Sequence, residues 1–136
     1  MRRKLIVLGG VALLAVFAAT GSFAATPKDA PDVVTIDDCA TKKAAVEFPH
    51  GAHAKAIACT TCHHTQEGLT ATATMEVQTC ASCHVAPEKA ETPKCAEMSL
   101  TKNPFHISCV NCHKDEIKKD ATKALPTKCD ECHPKA

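Results

Sequence analysis

The sequence predicts a small, mostly irregular fold with short α-helices and a minor N-terminal β-hairpin, in which large side chains do not fill the centre. The 136 residues include 10 Cys and 8 His but no Trp, no Tyr and only 4 Phe. Aromatic side chains normally dominate burial in a core, so a conventional core is not expected. The segments between the cysteines also lack the periodicity of amphipathic helices. The length allows one small domain and excludes a large multidomain enzyme.

Residues 1–24 predict a cleaved signal peptide. Three basic residues precede an apolar stretch at 5–19, and Ser22-Phe23-Ala24 has the small-x-small pattern of a cleavage site. A membrane anchor is the alternative, but the apolar stretch is shorter than the roughly 20 residues that cross a bilayer. We therefore expect export through the inner membrane into the periplasm.

Export changes the charge and the redox surroundings of the chain. Loss of Arg2, Arg3 and Lys4 lowers the 16 basic residues to 13, against 15 acidic residues, which leaves a net charge near −2. This balance does not predict a nucleic-acid-binding surface. In an oxidising compartment the cysteines are not expected to remain free thiols.

Eight of the ten cysteines form four copies of the pattern C-x-x-C-H. The copies are Cys59-Thr-Thr-Cys62-His63, Cys80-Ala-Ser-Cys83-His84, Cys109-Val-Asn-Cys112-His113 and Cys129-Asp-Glu-Cys132-His133. Two thiols three positions apart can each add to one vinyl group of a porphyrin, and the next residue then presents an imidazole to the iron. The sequence therefore predicts four haem c groups, with these cysteines as thioether attachments and the four motif histidines as proximal ligands.

Zinc sites, iron–sulfur clusters and redox dithiols could use the same cysteines, but they do not account for the histidine that follows each pair. Zinc sites normally close four ligands around each metal and do not require a histidine after every pair. Iron–sulfur clusters and thioredoxin-like dithiols also leave that histidine without a role.

The remaining histidines provide one further imidazole for each iron. They are His50, His53, His64 and His106. Met75 and Met98 are the only methionines after the signal, too few for four irons. We therefore predict bis-histidine ligation with these four as distal ligands, which keeps the reduction potential lower than methionine ligation would. The alternative is that one or two of them are surface residues.

The rest of the chain divides into short elements. A flexible segment at 25–32 precedes the haem domain at 33–136. The β-prone runs 33–36 and 45–48 predict a hairpin, and Pro49 suits the start of a helix that carries His50 and His53.

Longer connections and one further helix complete the domain. Residues 65–79 and 85–103 are predicted to wrap the haems as loops. Pro104 opens a helix through the third motif, and 115–123 is predicted to continue it as a polar stretch.

The order of these motifs resembles the class III tetrahaem cytochromes, the cytochrome c3 family. Phe48-Pro-His50-Gly-Ala-His53 is followed by Cys59-x-x-Cys62-His63-His64 and three more C-x-x-C-H sites, and the adjacent His63-His64 pair is the most specific element. The resemblance implies a compact fold with little regular structure and closely spaced haems. It also implies that His50 is distal to the first haem, His64 to the second, His53 to the third and His106 to the fourth.

The chain departs from the family in three respects. All four motifs here have two residues between the cysteines, where members often have a longer gap at the second and fourth sites, and His106 lies unusually close to Cys109. Basic members dock hydrogenase through lysines near the fourth haem, whereas acidic residues offset the lysines here. Hydrogenase is therefore a doubtful partner, and we expect transient complexes with other periplasmic or membrane-bound redox proteins.

Cys39 and Cys95 lie outside the haem motifs. We predict a disulfide between them, which would restrict the unfolded chain by roughly 4 kcal/mol in the chain-entropy model. Free thiols and intermolecular bridges are the alternatives.

The coordination pattern predicts the function. An iron with two imidazole ligands has no open position, so we expect an electron carrier in anaerobic respiration rather than an enzyme. The alternatives are a multihaem reductase with one open haem and a subunit of an extracellular conductive haem polymer.

Overall fold

The computed structural model describes residues 26–39 and 43–134, so the predicted signal peptide lies outside the described residues. The regular elements there are strands β1 (Val34–Ile36) and β2 (Val46–Phe48) and helices α1 (His50–Ala56), α2 (Cys80–His84), α3 (Asn111–Lys119) and α4 (Cys129–Cys132). Single 3-10 turns occupy Pro27–Asp29 and Cys59–Thr61, and a π-helical segment, His106–Val110, leads directly into α3. The predicted fold class, with short helices and one small hairpin, is confirmed.

The hairpin pairs its two strands antiparallel. Val34 lies opposite Phe48, and Ile36 lies opposite Val46. These four side chains are half-buried, whereas the central pair is exposed, as the alternation of side chains along a strand requires. The hairpin therefore turns Phe48 inward immediately before the chain enters α1.

Helix α1 lies against the N-terminal segment that the sequence predicts to be flexible. The Gly51 amide donates to the Asp32 carbonyl oxygen at 2.9 Å. A Cβ atom at Gly51 would lie 3.3 Å from the Asp32 Cα atom and would overlap the Asp32 carboxylate. A side chain at this position would therefore require the Asp32 carboxylate to turn away and the two backbone segments to separate by a few tenths of an ångström.

The two long connections form no helix or strand, as predicted. After them the chain is helical from Pro104, and the buried Asn103 caps this helix by accepting hydrogen bonds from the Phe105 and His106 amides at 2.8 and 3.2 Å. Asparagine before proline is a typical helix start, because its side-chain oxygen accepts from amides of the first turn.

The predicted continuation of this helix to residue 123 is wrong. Helix α3 ends at Lys119, and Asp120 is extended with φ −147°. Its carboxylate accepts from both the amide and the hydroxyl of Thr122, at 3.0 and 2.6 Å. This local turn satisfies the backbone in place of a further helical turn.

The polypeptide buries few of its side chains. The buried residues in the described part of the chain are Leu69, Cys95, Asn103 and Val110. Large apolar side chains such as Val85 and Leu100 are exposed. The polypeptide thus has no conventional core of its own, in agreement with the composition. No helix among the described residues has the length and apolar character needed to cross a bilayer.

A disulfide joins Cys39, just after β1, to Cys95 in the second long loop, with their Cα atoms 5.7 Å apart. It links the hairpin to a segment 56 positions later in the chain. The distance of 5.7 Å between the two Cα atoms lies in the usual range for disulfides.

The Gly51 contact yields a prediction about stability. We expect Gly51→Ala to lower the free energy of unfolding by about 1 kcal/mol, because overpacking costs about 1–3 kcal/mol and the gain from replacing a helical glycine is only about 0.5–1 kcal/mol. Guanidinium denaturation of the haem-loaded protein measures the change. Asp32→Ala is the matched background, in which the same substitution should cost less. If Gly51→Ala raised the free energy of unfolding in both backgrounds, a Cβ atom at residue 51 would not conflict with Asp32, and the prediction would be wrong.

Candidate functional site

Each C-x-x-C-H motif forms a helical turn. The first lies on the 3-10 turn Cys59–Thr61, the second on α2, the third at the junction of the π-helical segment with α3, and the fourth on α4. In the first and fourth motifs the histidine amide donates to the carbonyl of the first cysteine, at 2.9 Å for His63 and 2.8 Å for His133. Residues three positions apart on such a turn share a face, so both thiols of a motif can face one porphyrin edge.

All four motif histidines use the Nδ1 atom in a hydrogen bond to a backbone carbonyl. The pairs are His63 with Gln78 at 3.2 Å, His84 with Pro93 at 2.8 Å, His113 with Pro126 at 2.6 Å and His133 with Ala44 at 2.7 Å. A carbonyl oxygen can only accept, so Nδ1 carries the proton in each bond, and in the neutral imidazole Nε2 is then the nitrogen with the lone pair for a metal. This is the arrangement that orients a metal-binding histidine.

The structure brings the eight histidines together in four pairs. The ring centroids are 6.5 Å apart for His50 and His63, 6.2 Å for His64 and His84, 6.1 Å for His53 and His113, and 6.4 Å for His106 and His133. Each pair combines one motif histidine with one histidine from outside the motifs. The partners are the same as those that the family resemblance implies.

The separation within each pair fits two axial ligands on one iron. A metal–imidazole bond is about 2 Å long and the ring centre lies about 1 Å behind the nitrogen, so two rings on opposite sides of one metal have centroids about 6 Å apart. All four observed separations, from 6.1 to 6.5 Å, agree with this value. The residues present therefore fit the predicted prosthetic group.

Two of the non-motif histidines are also held by backbone carbonyls. His53 Nδ1 donates to Pro49 at 3.0 Å, and His106 Nδ1 donates to Ser99 at 3.3 Å. The Phe48 ring packs on the His53 ring with centroids 4.5 Å apart. The hairpin thus restricts the orientation of His53, and Ser99 restricts His106.

The motif thiols of different sites lie near one another. Partial desolvation by the surrounding chain, followed by the neighbouring Cys62 and Cys80, raises the pKa of the Cys109 thiol to about 11. Burial, followed by the effects of Cys112 and Cys59, also raises the pKa of Cys62. Cys132 of the fourth motif also raises the pKa of Cys109, so thiols of all four attachment sites lie near one another in the fold. Met75 and Met98, in contrast, are both exposed.

Two side-chain amides that the sequence reasoning missed hold the loops in place. Gln66 donates to the Glu76 carbonyl at 2.8 Å and accepts from the Gln78 amide at 2.9 Å, which orders the segment that receives the His63 hydrogen bond. Asn103 donates to the Cys95 and Glu97 carbonyls, both at 2.7 Å. The Asn-Pro pair at a helix start could have revealed the capping role of Asn103, but no sequence signal marks Gln66.

Comparison with known proteins identifies the family. A profile of the class III cytochrome C family matches residues 24–133. Cytochrome c3 of Maridesulfovibrio salexigens is 44% identical over 98 residues, which cover 68% of this chain and 81% of that protein. Cytochrome c3 of Desulfovibrio desulfuricans is 38% identical over 95 residues, with the same coverage.

A solved structure has a similar fold. The crystal structure of the di-tetraheme cytochrome c3 from Desulfovibrio gigas matches with a TM-score of 0.52 and 28% identity, over 78% of this chain and 98% of that one. Because the family profile spans most of the chain and includes all four C-x-x-C-H motifs, the protein belongs to the class III cytochrome c family and carries four c-type haems.

Proposed function

We propose that this protein is a periplasmic, low-potential electron carrier with four bis-histidine haems, which shuttles electrons between redox partners in anaerobic respiration. The observation that carries the proposal is the pairing of all eight histidines at the separation of axial ligands. When bound, each haem iron takes up and releases one electron. The role of the polypeptide is to fix both axial positions, which leaves no site for a substrate.

The residues divide into three roles. Eight cysteines form the thioether attachments, and the four motif histidines are the proximal ligands. The distal ligands are His50, His64, His53 and His106, for the first to fourth haems in that order. Carbonyl acceptors on Nδ1 make the proximal imidazoles stronger donors and fix their orientation. Imidazole on both sides of each iron favours lower potentials than a methionine ligand would.

The same pairing argues against a multihaem reductase and against one form of conductive polymer, in which neighbouring chains share haem ligands. A multihaem reductase needs one iron with a vacant or weakly held position, whereas each motif histidine here faces a second histidine. A conductive polymer that shares ligands between chains would need an unsatisfied site within one chain, whereas all four pairs form within a single chain.

Removal of a distal histidine tests the ligand assignment. We expect His106→Ala to convert one of the four haems to the high-spin state and to create one carbon monoxide site per chain, because one axial position opens. His64→Ala should do the same at a different haem. Absorption spectra of the ferric protein and carbon monoxide titration of the ferrous protein measure both changes.

Met98→Leu is the matched control, since Met98 is 54% exposed and is assigned no ligand role. Its spectrum should equal that of the unaltered protein. A high-spin signal or carbon monoxide binding in the unaltered protein would instead favour a reductase.

Surface charge indicates the kind of partner. Three lysines at the end of α3 or just after it form ion pairs: Lys118 with Asp115 at 2.8 Å, and Lys119 and Lys123 both with Glu116 at 2.6 Å. Hydrogen bonds from Lys119 and Lys123 lower the pKa of Glu116 to about 2, so Glu116 is negatively charged at neutral pH. Each of these three lysines therefore has its charge offset by a neighbouring carboxylate, which does not favour a hydrogenase that requires a basic surface there. We propose partners with basic docking surfaces.

The charge proposal is tested with small redox mediators of opposite sign. Because the mature chain has a net charge near −2 and haem propionates add to it, we expect a cationic mediator to react faster than an anionic one at low ionic strength. Added salt should reduce this difference. Stopped-flow oxidation of the reduced protein measures the rates, and a faster anionic mediator at low salt would refute the proposal.

A further inference from the structure

The buried segment around Cys95 contacts the second haem site. The Cys95 amide donates to the His84 carbonyl at 3.0 Å, and the Pro93 carbonyl accepts from His84 Nδ1 at 2.8 Å. Both the backbone and the ring of His84 therefore depend on the position of residues 93–95. Cys95 is only 3% exposed, so this segment has little freedom to move independently.

Asn103 ties this segment to the fourth haem site. The side chain is 7% exposed and uses its complete hydrogen-bonding capacity. Its two N–H groups donate to the Cys95 and Glu97 carbonyls, and its oxygen accepts from the Phe105 and His106 amides. One buried amide thus connects the segment that orients His84 with the helical turn that carries His106.

The disulfide extends the connection to the hairpin. Cys95 is bonded to Cys39, which follows β1, and Ala44, which precedes β2, accepts the Nδ1 hydrogen bond of His133 at 2.7 Å. His133 is the partner of His106 in the fourth pair. The hairpin, the disulfide and Asn103 therefore connect both residues of the fourth pair with the segment that holds His84 of the second.

The first and third sites rely on other contacts. His63 and His113 donate to the carbonyls of Gln78 and Pro126, and His53 donates to Pro49. None of these acceptors belongs to the connection through Cys39, Cys95 and Asn103. A change in that connection should consequently act on two of the four sites.

We propose that Asn103, braced by the Cys39–Cys95 disulfide, is a positioning residue that jointly sets the axial ligand geometry, and hence the reduction potentials, of the second and fourth haems. The inference rests on the proposed bis-histidine electron carrier. Its physical basis is that the hydrogen bond and the orientation of an axial imidazole tune its basicity toward the metal.

Two substitutions distinguish the role of the Asn103 side-chain oxygen from that of its NH2 group. Asn103→Ala removes both the cap on the His106 turn and the donors to Cys95 and Glu97. Asn103→Ser keeps an oxygen that can cap the helix but has no second donor for the two carbonyls. We expect the alanine variant to shift the potentials of the second and fourth haems, and the serine variant to restore the fourth but not the second. The serine variant keeps the test decisive if the alanine variant fails to fold.

A third variant and a control complete the experiment. The double substitution Cys39→Ala with Cys95→Ala should shift the reduction potentials of the same two haems, since it removes the disulfide that restrains the segment around residue 95. Thr74→Ala is the control, because Thr74 is an exposed polar residue in the first long loop, outside both the haem motifs and the connection through Cys39, Cys95 and Asn103; its four potentials should be unchanged. The measurement is a redox titration of each haem-loaded protein, followed by nuclear magnetic resonance of the haem methyl groups so that every haem is resolved.

The outcomes distinguish this inference from the proposed function. Shifts confined to the second and fourth haems support it. Folded Asn103 variants in which all four potentials move equally, or none moves, overturn it. The proposed function is judged separately on the unaltered protein, which must show four low-spin haems; its failure there would not depend on any Asn103 variant.

Discussion

The separation between facing imidazoles is the constraint on which the rest of this structure depends. Four pairs of rings must be held about 6 Å apart, from segments as distant along the chain as residues 53 and 113. Ordinary packing cannot supply this order, because only four described side chains are buried. The chain instead uses covalent attachment, a disulfide and hydrogen bonds to individual carbonyls. Its lack of Trp and Tyr is consistent with this, since four porphyrins provide the large apolar surfaces that such side chains normally supply.

Irregular backbone is therefore part of how the sites are built. The acceptors for the four motif histidines are carbonyls at Ala44, Gln78, Pro93 and Pro126, all outside the helices and strands. A carbonyl within a helix is already engaged with an amide four residues later, whereas a loop carbonyl can be directed at an imidazole. The loops at 65–79 and 85–103 supply two of these four acceptors, Gln78 and Pro93.

The sequence predicted the chemistry more completely than the shape. The C-x-x-C-H motifs, the count of spare histidines and the hairpin at 33–36 and 45–48 all have short-range signals. The acceptor carbonyls have none, because any residue can supply a carbonyl and its direction depends on the folded loop. The π-helical segment His106–Val110 was also not predictable from local propensity, and the end of α3 depended on a side-chain turn at Asp120. The pairing of distant histidines followed only from the resemblance to a known family.

Spectroelectrochemical titration of the purified protein, with coulometry to count electrons per chain and absorption to report spin state, tests the central claim most directly. If all eight histidines ligate four irons, the protein takes up four electrons per chain and remains low-spin in both the oxidised and the fully reduced states. Uptake of three electrons, or a high-spin fraction at any potential, would contradict the account, because at least one histidine pair would then not hold an iron.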